Sequence, residues 1–282
     1  MSLGVLNNMA AIYAENNVNQ TQASLQNTLT QLSSGQRINS GADDAAGLSL
    51  ANGLTANSTA LTQSAQNASD GAGLLQTADG ALSQVTNLLN RAVTLATEAS
   101  NGTLNTSQLG AADAEYQNIL TEIGNIGSTT NYNGNSIFTS TAVNIVVTDG
   151  TSSGTSTFAD KVGVLTTASV GTTSGGGGEN LSATSLTSNA SASTALTDIT
   201  SAISDVAYQR GTVGANVNQL TAAANVASTE QENLTSAENN VMATDYGQAT
   251  SNLSKYQVLS QTGISALAQA NSVQQEVLKL LQ

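Results

Sequence analysis

The sequence predicts a mostly α fold: a long antiparallel helical-bundle rod formed by the N- and C-terminal arms, with a small β-rich central element. Two stripes carry this reading. Apolar residues recur every seventh position from Leu61 through Ala68, Leu75, Leu82 and Leu89 to Ala96. They do so again from Ile199 through Val206, Val213, Leu220, Ala227 and Leu234 to Val241. Spacing of seven keeps side chains on one face of a helix, because two turns take about 7.2 residues. A companion row follows each stripe: Ala78, Val85, Ala92 and Ala99 in the first arm, Ile203, Val217 and Ala224 in the second. Arg210, Gln231 and Glu238 interrupt the second row. The other observation is an absence. No proline occurs in 282 residues, where average usage would place about fourteen, so helices of about 54 and 65 Å can run unbroken.

Each element follows in order. From Leu3 to Leu32 the apolar positions Leu6, Met9, Ile12, Leu25, Leu29 and Leu32 recur in three- and four-residue steps around a polar patch at Asn16–Gln20. That pattern predicts a weak amphipathic helix in need of a partner. Ser33-Ser34-Gly35 punctuates it, and Arg37–Gly41 reads as a turn. Ser40 with Asp43 resembles a capping box, which would place Asp43 and Asp44 in the first turn of the next helix, where the dipole favours negative charge. That helix carries the first stripe to Ser100 and ends at Asn101-Gly102. A third helix has Ala112, Tyr116, Ile119, Ile123 and Ile126 on one face.

Beyond Gly127 the texture changes. Ser136–Phe138 and Ala142–Thr148 are β-prone, Asp149-Gly150 is a turn dipeptide, and a second strand pair is expected at Thr155–Phe158 and Val162–Thr166. Gly175–Gly178 reads as a flexible loop. Helix resumes near Ala190 through the second stripe, and the tail offers Leu253, Tyr256, Leu267, Ala270, Val277 and Leu281 for one broad face. The expected division is 1–44 and 245–282 as terminal helices, 45–130 and 190–244 as the helical rod, and 131–189 as a small β-rich surface segment.

Composition narrows the function. Aromatic residues make up 3% and tryptophan is absent, so each side chain buries little area and stability must come from long repeated contacts or from a partner. Six Lys or Arg against nineteen Asp or Glu give a net charge of −13, which disfavours nucleic acid and anionic membrane as partners. With no cysteine and no histidine, disulfides, thiolate chemistry, the usual zinc sites and histidine general-base catalysis are excluded. The longest apolar runs are a few residues, too short to span a membrane. Met1–Asn17 has neither the basic region nor the apolar run of a signal peptide, so an extracellular destination implies export without one.

No constellation supports an active site or a cofactor. Asp43-Asp44 lacks an accompanying base or metal ligand and reads as helix capping. The tetraglycine lacks the lysine of a phosphate loop. Asn-x-Ser/Thr triplets are expected by chance in a chain this rich in those residues. Arg91, the only cation between Arg37 and Lys161, reads on its own as a solvated position on the rod.

The two ends carry long ordered signatures. One runs Leu32-Ser33-Ser34-Gly35-Gln36-Arg37-Ile38-Asn39-Ser40-Gly41-Ala42-Asp43-Asp44-Ala45-Ala46-Gly47-Leu48, continued by Asp79-Gly80-Ala81-Leu82 and Tyr132-Asn133-Gly134. The other comprises Asp245-Tyr246, Ser251-Asn252-Leu253-Ser254-Lys255 and Leu267-Ala268-Gln269-Ala270-Asn271. In these the chain resembles bacterial flagellin, over about the first 138 and last 90 residues.

The resemblance implies a subunit exported unfolded by the flagellar type III apparatus and polymerised with itself into the extracellular filament that drives swimming motility. An export chaperone and the cap and junction proteins would be its partners. Terminal helices would pair in the filament core, placing Leu6, Ile12, Leu25, Leu29, Leu32, Leu253, Leu267, Val277 and Leu281 in self-assembly. By motif position, the patch read by the flagellin-sensing toll-like receptor falls on Arg91, Leu95 and Glu115, with Leu89 and Asn90 beside them. Two positions depart from the family: Asn216-Val217-Asn218-Gln219, where receptor-active members usually have an Ile and an Arg, and Gln274, where relatives often carry proline. The alternatives are the hook–filament junction protein, which tends to have proline where Ala45 follows the paired Asp, and a non-flagellar secreted adhesin with coiled-coil ends. The metallopeptidase insert of some flagellins needs HExxH, which a histidine-free chain cannot supply.

Overall fold

The computed structural model describes residues 8–148, 157–160, 162–173 and 177–280. It is mostly helical: α1 spans Met9–Ser34, α2 Ala45–Ser100, α3 Thr106–Thr129, α4 Asn189–Met242 and α5 Tyr246–Leu280. Four short strands lie between α3 and α4: β1 Asn131–Tyr132, β2 Asn135–Ser136, β3 Val143–Val146 and β4 Thr157–Asp160. Two compact units result, one from Met1–Ala56 with Leu234–Gln282 and one from Asn57–Asn233. Helices α2 and α4 contribute to both.

In the first unit α1 and α5 pack antiparallel. The Asn8 side chain donates to the Ala270 carbonyl at 2.9 Å, and a Cβ on Gly263 would lie 2.7 Å from a Val18 methyl. At the other end, a Cβ on Gly35 would lie 2.8 Å from the Tyr246 hydroxyl. Asn8 also caps α1, accepting from the Ala11 amide at 3.1 Å, and Gly35 ends it in the left-handed conformation at φ 72°, which glycine adopts without a Cβ penalty.

The start of α2 corrects the expected capping. Asp43 and Asp44 precede the helix instead of occupying its first turn. Asp44 is the cap, its Oδ1 accepting from the Gly47 amide at 2.9 Å. Asp43 closes the turn before it, its Oδ2 accepting from the Ser40 hydroxyl at 3.0 Å and from the Ser40 and Asn39 amides at 2.9 and 3.1 Å. These donors, the Ser40 hydroxyl first, hold the Asp43 carboxyl below its usual range because they favour the ionised form.

The second unit holds the core. All six residues of the first stripe are buried, as are Ala78, Val85, Ala92 and Ala99 of its companion row. Ile199, Val206, Val213, Leu220 and Ala227 face them from α4, whereas Leu234 and Val241, outside this unit, are only half-buried. Arg210, which interrupts the companion row, makes a bidentate ion pair with Asp79 on α2 at 2.7 and 3.2 Å. The third helix adds Tyr116, Ile119 and Ile123 as expected, with Leu109 and Leu120 besides; Ala112 and Ile126 are half-buried. A capping box of Asn105 and Gln108 starts it, with the two reciprocal bonds at 2.9 and 3.0 Å.

The strands pair differently from the sequence expectation. Phe158 pairs with Ile145 in an antiparallel β3–β4 ladder, and Val162–Thr166 forms no strand. Instead Val162 and Leu165 enter the core, together with Val170, Leu181 and Leu186 of the following loop. Ile137 and Phe138 are buried but lie past the end of β2. The β1–β2 hairpin turns on Asn133 and Gly134, both at positive φ (51° and 80°), the signature of a type I′ turn. Asp149, Gly150, Gly175 and Gly176 lie outside the described residues.

The described parts of this loop, 162–173 and 177–186, lean on α3. Asp113 accepts from the Leu186 amide at 2.6 Å and Gln117 donates to the Thr184 carbonyl at 3.0 Å. Leu165 packs its backbone on Gly127, where a Cβ would lie 1.9 Å from the Leu165 carbonyl oxygen. Gly127→Ala is therefore expected to lose about 1–3 kcal/mol through overpacking. Gly110→Ala on the same helix, with nothing within 4 Å of its Cβ, is expected to gain about 0.5–1 kcal/mol of helix propensity. Urea midpoints moving in the same direction for both variants would contradict this.

Candidate assembly surface

The α1–α5 pair is stitched by small and polar side chains. The more buried positions of α1 include Ala11, Ala14, Val18, Thr21, Leu25, Thr28 and Leu32, in alternating steps of three and four, with Ser24 and Gln31 beside them, the seam of a coiled coil. Opposite them lie Ala249, Leu253, Tyr256, Ser260, Gly263, Leu267 and Ala270 of α5. Within this seam only Val18, Thr28 and Ala249 are fully buried. Thr28 satisfies its hydroxyl on the Ser24 carbonyl at 2.9 Å.

The expected assembly residues divide between two faces. Leu25, Leu32, Leu253 and Leu267 sit half-buried in the seam, while Ile12 and Leu29 point outward at 45% and 48% exposure. The large apolar residues of the first helix thus do not all share its inner side. Its real inner face runs through Val18 and Thr28, which a count of large apolar residues passes over; the three-four alternation with threonine counted as apolar would have found it. Leu6 and Leu281 lie outside the described residues, and of Val277 only the helical backbone is described.

The outer face is the notable surface. Of the large apolar side chains left exposed among the described residues, most are on these two helices: Met9, Ile12, Tyr13 and Leu29 on α1, and Val258, Leu259, Ile264 and Val273 on α5, with Tyr246 exposed but turned to Gly35 at the end of α1. Tyr13 and Val258 are each 64% exposed. Apolar exposure concentrated on one helix pair in this way fits a surface that another molecule covers. Covering a half-exposed side chain of this size is worth about 1 kcal/mol.

The positions read as a receptor patch fall in the second unit. Leu89 and Leu95 are buried in its core, where they hold α2 in place and offer no outward contact. Asn90, Arg91 and Glu115 are exposed. Arg91 bonds Glu115 across α2 and α3 at 2.7 Å, so it is a paired surface cation rather than a merely solvated one. The pair, through its hydrogen bond first, lowers the Glu115 carboxyl below its usual range and raises the Arg91 guanidinium.

Among the described residues no cluster of three His, Cys, Asp or Glu could hold a metal ion, and no helix is long and apolar enough to cross a membrane. Residues 5–142 match the bacterial flagellin N-terminal helical region, and residues 196–281 match the bacterial flagellin C-terminal helical region. Flagellin 1 of Proteus mirabilis is 39% identical over 144 residues, covering 51% of this chain and 40% of that protein. Phase 1 flagellin of Salmonella naestved is 42% identical over 127 residues, 45% of this chain and 25% of that one. The matched stretch thus spans well under half of these relatives' length. A crystal structure of Bacillus cereus flagellin is 32% identical, with a TM-score of 0.48 over 57% of this chain and 88% of that chain. With matching regions at both ends of the sequence, the chain belongs to the bacterial flagellin family.

Proposed function

We propose that this chain is a structural subunit that polymerises with copies of itself into the extracellular filament of the bacterial flagellum, serving swimming motility. The observation that carries this reading is the concentration of exposed large apolar side chains on α1 and α5. A helix pair with so few fully buried residues gains little from its own packing and becomes stable when neighbours cover its outer face. The same marginal stability suits export in an unfolded state through the flagellar type III apparatus, with a chaperone holding the C-terminal segment and cap and junction proteins receiving the subunit. Exposed Arg91 and Glu115, with Asn90, form the part of the second unit that a toll-like receptor would touch. The absence of proline after Asp44 favours the filament subunit over the junction protein.

Electron microscopy tests the central claim. Purified protein at high concentration is expected to form helical filaments, and to dominate protein sheared from flagella. In the dilute monomer, hydrogen exchange is expected to be fast before about residue 40 and after about residue 245, and slow there in the polymer. Absence of filaments, or equal protection at Leu25 and Leu267 in both states, would overturn the reading.

A further inference from the structure

We propose that Arg37 is a positioning residue that clasps the α1–α2 connection to the α4–α5 connection and so sets the register in which α1 and α5 pair. A helix ends with carbonyls that have no partner inside it and with the negative pole of its dipole. The last residues of α4, Glu238-Asn239-Asn240-Val241-Met242, supply no cation of their own, and Glu238 adds negative charge. Arg37 answers from the other end of the chain. Its guanidinium donates to the Val241 carbonyl at 2.8 Å and its amide to the Met242 carbonyl at 2.7 Å.

Three further bonds close the junction. The Thr244 amide donates to the Gly35 carbonyl at 3.0 Å, making Gln36 and Ala243 an antiparallel bridge. Gln31, in the last turn of α1, donates through Nε2 to the Arg37 carbonyl at 3.0 Å and accepts at its own carbonyl from the Thr244 hydroxyl at 3.4 Å. Beyond Arg37, Ile38 is buried, its Cδ1 2.6 Å from where a Cβ on Gly47 would lie. The segment is therefore held on both sides of the arginine.

Helix α5 begins at Tyr246, two residues past Thr244. The clasp thus holds the end of α1 and the start of α5 side by side, although some two hundred residues separate them in sequence. Closing that loop costs entropy once. With it closed, pairing of α1 and α5 grows turn by turn from a fixed end, in one register. The clasp itself stands on contacts within the chain; only its consequence for polymerisation rests on the proposed function.

The chain has no cysteine, so Gln36→Cys with Ala243→Cys gives a clean reporter. The bridge is a non-hydrogen-bonded antiparallel pair, whose close Cα atoms suit a disulfide. In dilute monomer with oxidised glutathione, where the junction closes transiently and the disulfide traps it, intramolecular cross-linking is expected to be at least tenfold slower when Arg37→Ala is added, and partly restored by Arg37→Lys. Equal rates with and without Arg37 would overturn the clasp, as would a parent pair that fails to cross-link. For the register role, the Arg37→Ala chain should polymerise poorly and recover once the disulfide has formed; an unrecovered polymer overturns that role. A parent that never polymerises would overturn the proposed function, while the cross-linking rates still decide the clasp.

Discussion

Replacing Tyr13 and Val258 together by glutamate is expected to raise the critical concentration for polymerisation at least a hundredfold while leaving the helix content of the monomer unchanged. Both side chains are mostly exposed in the single chain, so a carboxylate at either site is solvated there and costs little. In a contact between copies the same carboxylate loses its water without gaining a partner, which costs several kcal/mol. The apolar contact it replaces is lost as well. Since about 1.4 kcal/mol is a factor of ten in an equilibrium constant, a combined loss of about 3 kcal/mol already reaches the expected shift. Sedimentation of the polymer across a concentration series reads the effect, with circular dichroism of the monomer as control. Normal filaments from the double variant would mean that these side chains face solvent in the polymer, and the outer face of α1–α5 would not be the contact.

The second large effect lies in the other unit. Leu89→Ala is expected to destabilise it by about 2–5 kcal/mol, because the residue is fully buried and its removal leaves a cavity as well as losing transfer energy. That corresponds to a fall of roughly 5–15 °C in melting temperature for a unit of this size. Arg91→Ala, two residues on, removes half of an exposed ion pair and should leave the melting temperature near that of the parent. The contrast separates support from contact: in a receptor reporter assay, folded Arg91→Ala should lose signal, whereas any loss with Leu89→Ala should follow its unfolding. An unchanged reporter response to Arg91→Ala would remove Arg91 from the receptor surface.

Regular periodicity explains which elements could be read ahead of the structure. The stripes from Leu61 and Ile199 lie in proline-free helices, and in the second unit their members are buried. There the sequence alone determines both the element and its inner face, because a helix converts a spacing of seven into one side. The same reading was incomplete on α1, where Leu25 and Leu32 lie in the seam against α5 but so do Ala14, Thr21 and Thr28. Val18 meets Gly263 there, where a Cβ would lie 2.7 Å from its methyl, so what the partner helix leaves open, and not side-chain hydrophobicity alone, chose the inner face. It failed between α3 and α4. A β-branched run near Val162 reads as strand, yet Val162 and Leu165 are buried in the core while their carbonyls meet Gln209 Nε2 and the bare backbone of Gly127.

Local sequence by itself therefore determined the helices, the exclusion of chemistry that needs histidine or cysteine, and the family signatures at both ends. Tertiary structure alone decided which apolar residues stay outside, that Leu89 and Leu95 are buried in the core, and that Arg37 caps a helix about two hundred residues away. The physical reason is range. Helix propensity and dipole capping act over a few neighbouring residues, whereas burial and an unpaired carbonyl at a helix end are satisfied by whatever the fold brings near, and no spacing along the chain records that.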